Sequence, residues 1–127
     1  MEKQIYEMVK KLVHIPDDFN RRRDVSEVVL VFESGYLERH NEIDEDTIAE
    51  VLREYPDLIR IWMQWSEDKR SLPTWHFFWD KDENYYYVDY SAPGKENQHV
   101  RTQDGFQACA AFIKREIETD KILLSRK

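Results

Sequence analysis

Apolar residues in the first part of the chain recur every three or four positions, the spacing that places side chains on one face of a helix. A first helix over about 2–14 is predicted from Ile5, Met8, Val9 and Leu12. Pro16 follows this segment and is expected to stop the helix, because proline has no backbone N–H group to donate.

The next apolar segment, residues 25–32, fits two structures. A helix is predicted if Asp24 accepts a hydrogen bond from the first turn and Glu27 reaches back to it. Its apolar stripe would be Val25, Val28, Val29, Phe32 and Tyr36. The run VVLVF is rich in β-branched residues, so a strand stays open as the alternative. Gly35 is expected to end or loosen a helix here.

The third helix has a clear predicted start. Asp44 is a good N-cap, Ile43 can pack on Ile48, and the acidic residues Glu45 and Asp46 complement the positive end of the helix dipole. Pro56 interrupts the pattern and suits the first turn of another helix. That fourth helix would carry Leu58, Ile59, Trp62 and Trp65. Two successive helices are therefore predicted.

After Pro73 the pattern changes to a strand period. Two ring-rich segments, 75–79 and 85–90, flank the polar loop DKDEN, and a turn around Ala92, Pro93 and Gly94 leads to a third strand, about Gln98–Thr102. With Trp79 opposite Tyr85, one face is predicted to carry Trp75, Phe77, Trp79, Tyr85, Tyr87 and Asp89, and the other His76, Phe78, Tyr86, Val88 and Tyr90.

A last helix is predicted to start near Asp104 and to fray from about Lys121. Its apolar face would hold Phe106, Cys109, Ala110, Ile113 and Ile117. The sequence therefore predicts one α+β domain over 1–127. Its helical N-terminal half would pack on a three-stranded antiparallel meander with a closing C-terminal helix.

The aromatic residues of the meander bear on function. Helices can bury one sheet face, and we expect the other to stay at least partly open, where tyrosine and tryptophan have the composition of binding hot spots. The alternative is that helices or loops cover both faces.

Charge gives a second indication, because the net charge is −7 and is unevenly distributed. Residues 33–68 hold eleven acids and three bases. The balance disfavours nucleic acid and anionic membranes as partners and fits a basic protein partner. The acidic residues on and beside the third helix form either a solvated helix face or a surface that attracts a cationic protein electrostatically.

Motifs of common catalytic and cofactor sites are missing. The four histidines lack metal-site spacing, three glycines do not form a phosphate loop, and Cys109 is expected to be a buried apolar filler. We expect neither metal nor cofactor. One cysteine allows no internal disulfide, and the start MEKQIYEMVKK lacks a signal-peptide core, so a cytoplasmic location is predicted without a membrane span.

Three stretches, FESGYLERHNEI at 32–43, IWMQWSEDKRS at 61–71 and ACAAFIKREIE at 108–118, together resemble small bacterial immunity proteins, the partners of secreted or contact-dependent toxins. The resemblance covers most of the chain after about residue 30. It implies a toxin-neutralising binder, and it carries no functional residues onto this sequence.

The functional hypothesis is a non-enzymatic cytoplasmic inhibitor that binds a basic, nuclease-type toxin domain. The predicted partner-binding residues are Glu42, Glu45, Asp46, Glu50, Glu54, Trp75, Trp79, Tyr85 and Tyr87. One alternative is a small enzyme with a diffuse acid–base site on the aromatic sheet face, favoured if His76 or His99 lies in a pocket beside a carboxylate. Another is a regulatory or structural module of a bacterial complex, or a homo-oligomer.

Overall fold

The computed structural model describes residues 1–22, 24–68, 75–90 and 99–125. Its helices are α1 (Lys3–Val13), α2 (Ile15–Arg22), α3 (Glu27–Ser34), α4 (Tyr36–Arg39), α5 (Glu45–Leu52), α6 (Leu58–Asp68) and α7 (Gly105–Ser125), with a 3₁₀ turn at His40–Glu42. Its strands are β1 (Trp75–Asp80), β2 (Tyr85–Tyr90) and β3 (Val100–Thr102). The architecture is the predicted α+β class. The predicted turn at 92–94 lies outside the described residues.

The first helix matches its prediction, but the sequence did not predict the helix that follows it. α1 ends at Val13, and α2 begins at Ile15 with Pro16 in its first turn. A proline there sacrifices no hydrogen bond, because the first N–H groups of a helix have no intrahelical partner. Pro16 therefore separates two helices without ending helical structure.

The open segment 25–32 is helical from Glu27 onward. Its N-cap is Ser26, whose Oγ accepts a hydrogen bond from Val29 N at 3.3 Å, so the expectation that Asp24 caps this helix is wrong. Gly35 ends α3 in the left-handed conformation with φ 85°, which a residue with a Cβ adopts at a cost.

The predicted start of α5 is confirmed in detail. Asp44 Oδ1 accepts hydrogen bonds from Thr47 N at 2.8 Å and from Thr47 Oγ1 at 2.7 Å. Ile43 and Ile48 are both buried. Because α5 ends at Leu52 and α6 begins at Leu58, the prediction of two separate helices is also confirmed.

The sheet has the predicted antiparallel order β1-β2-β3, but its register is shifted by one residue. Trp79 pairs with Tyr86 and Asp80 pairs with Tyr85, so the predicted pairing of Trp79 with Tyr85 is wrong. The loop is 81–84, four residues long, because Asp80 belongs to β1. Asp80 Oδ1 accepts the Asp82 N–H at 2.9 Å, and Asn84 closes the loop with φ 63°.

This register moves the rings of β2 to the faces opposite to those predicted. The helix-side face carries Trp75, Phe77, Trp79, Tyr86, Val88, Tyr90, Val100 and Thr102. The outer face carries His76, Phe78, Asp80, Tyr85, Tyr87, Asp89 and Arg101. Trp75 and Trp79 therefore do not share a face with Tyr85 and Tyr87.

The core is built around α7, which contacts α3, α5, α6 and all three strands. The Phe112 ring stacks on Phe77 of the helix-side face, with centroids 5.7 Å apart, and lies 6.0 Å from Trp62. The Trp62 indole donates to Val13 O at 2.9 Å, which satisfies a buried polar group. Rings from the sheet, α6 and α7 therefore meet at one point in the core.

Two expectations about α7 have different outcomes. Cys109 is fully buried among alanines, as expected. The predicted fraying from about Lys121 is wrong, because α7 continues to Ser125 and Lys121 forms an ion pair with Glu118 at 3.0 Å. Within the described ranges, no helix combines the length and the apolar character needed to cross a membrane.

Candidate functional site

The outer face carries an ordered cluster of rings around one arginine, which we call the outer-face cluster: Phe78, Glu83, Tyr85, Tyr87 and Arg101. Phe78 and Tyr87 stack with centroids 5.5 Å apart and planes 12° apart. The Arg101 Cζ lies 3.7 Å from the centroid of the Tyr85 ring. Phe78 is 39% exposed while Phe77, its neighbour on the helix side, is 1% exposed. The two faces are therefore unequal, as expected.

Polar contacts hold these side chains in place. The Tyr87 hydroxyl donates to Glu83 Oε2 at 2.5 Å and accepts from Arg101 Nε at 2.9 Å. Arg101 also forms an ion pair with Glu83 at 3.3 Å. The hydrogen bond to the Glu83 carboxylate raises the pKa of Tyr87, because it stabilises the protonated hydroxyl. The cluster presents rings and a cation whose rotamers are already restricted, which lowers the entropic cost of binding.

Trp75 and Trp79 have different surroundings on the helix-side face. The Trp75 ring contacts Tyr90, with centroids 4.8 Å apart, and lies 5.2 Å from Arg115 Cζ. Trp79 is 39% exposed and contacts Tyr86 at 4.6 Å. Of the four predicted ring residues, only Tyr85 and Tyr87 belong to the outer-face cluster.

Glu42, the first of the predicted acidic site residues, is paired within the chain. Arg39 donates two hydrogen bonds to it, at 2.5 and 2.7 Å, and also binds Glu2. The hydrogen bond from Arg39 lowers the pKa of Glu42. Glu42 and Glu2 share this one cation, so Glu42 presents less charge to a partner than an unpaired carboxylate would.

Glu45 is paired with α7, through a residue that the sequence analysis did not single out. Arg115 Nη1 lies 3.2 Å from Glu45 Oε2, and the same guanidinium lies over the ring of Trp75. Arg115 thus brings together two predicted site residues that are thirty positions apart in sequence. The ion pair joins α5 to α7, and it reduces the charge that Glu45 presents.

Asp46 and Glu50 are the predicted acids that keep their charge available. Both are exposed, and neither carboxylate forms a hydrogen bond or an ion pair with any residue in the part of the chain that the structure describes. Glu54 is also exposed, but it contacts the Tyr6 hydroxyl. The pKa of Tyr6 is raised mainly by its hydrogen bond with Tyr55 and also by its hydrogen bond with Glu54. The electrostatic part of the predicted site is therefore narrower than the sequence indicated.

A groove of about 590 Å³ lies beside the Glu45–Arg115 pair. Its lining includes Trp75, His99 and the two carboxylates Glu45 and Glu118. This places a histidine near carboxylates, which is the arrangement that the enzyme alternative requires. His76 does not line this groove. It lies on the outer face, where its cross-strand partner is Asp89.

A buried polar network at the floor of this region was missed by the sequence analysis. Tyr36 is fully buried and donates its hydroxyl proton to Glu118, while Lys114 Nζ donates to the same hydroxyl at 2.5 Å and to Ile43 O at 2.6 Å. Burial and the hydrogen bond to Glu118 raise the pKa of Tyr36. The network attaches the segment around α4 to helix α7. Tyr36 and Ile43 lie too far in sequence from Lys114 and Glu118 for residue spacing to reveal the network.

Sequence reasoning also missed three members of the outer-face cluster, Phe78, Glu83 and Arg101. The alternation of Val100, Arg101 and Thr102 would have placed Arg101 opposite β2 on a polar face once the register was known. Among the described residues, no group of three or more histidine, cysteine, aspartate or glutamate side chains is arranged to hold a metal ion.

Comparison of the chain with protein-family models, with curated proteins and with solved structures finds no match. The described residues of the stretches 32–43, 61–71 and 108–118 fall mainly on helices, at the end of α3 and α4, in α6 and in α7. They are thus largely separate from the outer-face cluster.

Proposed function

We propose that the protein is a non-enzymatic inhibitor that binds a basic protein, namely a bacterial toxin domain that acts on nucleic acid. The observation that carries this proposal is the outer-face cluster, where Phe78, Tyr85, Tyr87 and Arg101 are held ready on a sheet face. Tyrosine and arginine dominate the binding energy of protein interfaces, because they bury large area and also form hydrogen bonds.

Charge supports a basic partner. The net charge is −7, and Asp46 and Glu50 present unpaired carboxylates on the exposed side of α5. A toxin that holds a polyanion has a basic active face, which an acidic inhibitor can approach rapidly and cover. The resemblance to immunity proteins gives the same direction. Action against such a toxin would place the protein in the cytoplasm, a reducing compartment that suits its single unpaired Cys109.

Co-expression with the product of the adjacent gene, followed by binding kinetics at two salt concentrations, tests the proposal. We expect a stable complex whose association rate falls as salt rises, because salt screens the attraction between exposed charges. The double variant Asp46→Lys with Glu50→Lys should associate about tenfold more slowly and lose much of its salt dependence. Glu45 is left unchanged in this variant, since its replacement would also break the pair with Arg115.

The matched control is the double variant Glu7→Lys with Glu67→Lys, which reverses two exposed acids, on α1 and α6, that form no ion pair with a described residue. Its association rate should stay within about twofold of the original protein. Equal slowing by the control would remove the specific role of α5. If no protein partner is found and the chain sediments alone as a dimer, the homo-oligomer alternative is favoured instead.

A small enzyme is the second candidate, and the observation in its favour is the groove whose lining includes His99, Glu45 and Glu118. A histidine near carboxylates can serve as a general base or acid. Assays with p-nitrophenyl esters and bis-p-nitrophenyl phosphate test it. Turnover that is abolished in His99→Ala would support an enzyme, and turnover that persists in this variant would exclude the groove as its site.

A further inference from the structure

A second concave region lies between α2 and α6, away from the residues discussed above. We call it the α2–α6 cavity; its volume is about 490 Å³, within the range of pockets that hold ligands or anchoring side chains. Two rings form part of its wall. Phe19 and Trp65 meet edge to face, with centroids 5.2 Å apart and planes 88° apart, and Phe19 is 36% exposed.

The charged groups of this cavity are mostly acidic. Asp17, Glu27 and Asp68 contribute three carboxylates, and Arg60 contributes the one guanidinium of the described lining. Asp17 is exposed and forms no ion pair with a described residue, whereas Asp68 accepts a hydrogen bond from Gln64 at 3.1 Å. Asp17 and Asp68 alone outnumber Arg60, so the lining has an excess of negative charge beside two aromatic rings.

This combination selects the chemistry of the occupant. The faces of aromatic rings attract cations, and carboxylates near them stabilise the same charge. An anion would be repelled by the carboxylates. The occupant is thus expected to have an apolar stem that packs on Phe19 and Trp65 and a cationic end that reaches the acids.

We propose that the α2–α6 cavity receives an arginine side chain of the basic partner. Arginine fits better than lysine, because its planar guanidinium both stacks on rings and forms paired hydrogen bonds with carboxylates. The source of the side chain rests on the proposed function, while the preference of the cavity for an alkylguanidinium group does not.

The test uses the isolated protein and Nα-acetyl-arginine amide as the probe. In ¹⁵N-labelled protein, the indole N–H signal of Trp65, assigned by its loss in Trp65→Phe, should shift and saturate as the probe is added. Nα-acetyl-citrulline amide has nearly the same shape without the charge and should bind at least about tenfold more weakly. Equal affinity of the two probes would overturn the proposal. Tighter binding of Nα-acetyl-lysine amide than of Nα-acetyl-arginine amide would also overturn it.

Conservative variants locate the site. Asp17→Asn combined with Asp68→Asn should weaken probe binding by about tenfold, since both carboxylates are lost while shape is kept. The matched control is Asp46→Asn combined with Glu50→Gln, two exposed acids on α5 outside this cavity, and it should leave probe affinity within about twofold. Equal weakening by the control would show a non-specific effect of net charge and would overturn the proposal.

Failure of this proposal can be told apart from failure of the proposed function. A saturable probe site in a chain that binds no basic protein would refute the inhibitor proposal and support the cavity's preference for guanidinium. A basic partner that binds the Asp17→Asn and Asp68→Asn double variant with unchanged affinity would leave the inhibitor proposal intact and overturn the role of the α2–α6 cavity.

Discussion

The guanidinium of Arg101 lies flat enough over Tyr85 to bring its Cζ within 3.7 Å of the ring centroid, on the sheet face opposite the helices. Because Arg101 and Glu83 are both partly exposed, this arrangement adds little to the free energy of folding. The sequence alone does not reveal this contact, because Arg101 and Tyr85 come together only when β3 pairs with β2.

Replacing Arg101 by alanine should therefore separate binding from stability. We expect the free energy of unfolding to fall by less than about 1 kcal/mol, and partner affinity to fall by more than about tenfold. Urea unfolding and calorimetric titration measure the two effects. Arg53→Ala is the matched control, because Arg53 also lies over an aromatic ring, Phe106, at 5.8 Å, but outside the cluster. Equal loss of affinity in the control would contradict the assignment.

The register of the first two strands predicts opposite effects for adjacent phenylalanines. Phe77→Ala removes a buried ring that stacks on Phe112 and should cost about 3–5 kcal/mol of unfolding free energy. Phe78→Ala removes an exposed ring and should cost less than about 1 kcal/mol. Urea titration of both variants decides the matter, and a larger cost at Phe78 would mean that the faces are reversed.

Cys109 should react slowly with polar thiol reagents in the native protein. It is fully buried, and this burial raises the pKa of its thiol, so both access and thiolate are scarce. The measurement is labelling with Ellman's reagent, with and without denaturant. A Thr119→Cys variant in a Cys109→Ala background supplies an exposed thiol on the same helix and should react at once. Native labelling of Cys109 at the control rate would refute its burial.

The cap of α5 should make stability depend on acid pH. Hydrogen bonds from the Thr47 backbone and hydroxyl lower the pKa of Asp44 from its ordinary 3.8. A carboxyl whose pKa is lowered by folding contributes stability that is complete above pH 3.8 and is lost as pH falls below it towards the folded pKa. Asp44→Asn keeps an effective cap without a titrating group. Its unfolding free energy should therefore fall less between pH 5 and pH 2, and identical profiles would contradict the prediction.

Local chemistry in the sequence was sufficient for several elements. The start of α5 was predicted because Asp44, the acidic first turn and the apolar stripe act within a few residues of one another. The burial of Cys109 was predicted for the same reason, from the apolar face of α7. Such features need no knowledge of distant residues, so periodicity and capping rules identify them.

The helix at 27–34 and the proline-containing α2 depend on more of the chain than the local propensity of their own residues. Four β-branched or aromatic residues in VVLVF favour a strand locally, yet the Ser26 cap, Gly35 and packing on α7 stabilise a helix. Tertiary contacts bury Leu30 and Val31, and this outweighs the propensity of single residues.

The sheet register, and with it the candidate site, was decided by the tertiary structure. Both strands have aromatic residues at even and odd positions, so no hydrophobic alternation distinguished the two registers that differ by one residue. Asp80 belongs to β1, and its side chain accepts a hydrogen bond from the loop. The observed register therefore differs by one residue from the predicted one, so every β2 ring lies on the face opposite to its predicted face. The sequence by itself determined the fold class, the acidic character and the abundance of rings. Which rings lie on the outer face, and that Glu45 is paired, followed only from strand pairing and from the ion pair with Arg115, because these contacts join residues far apart in the chain.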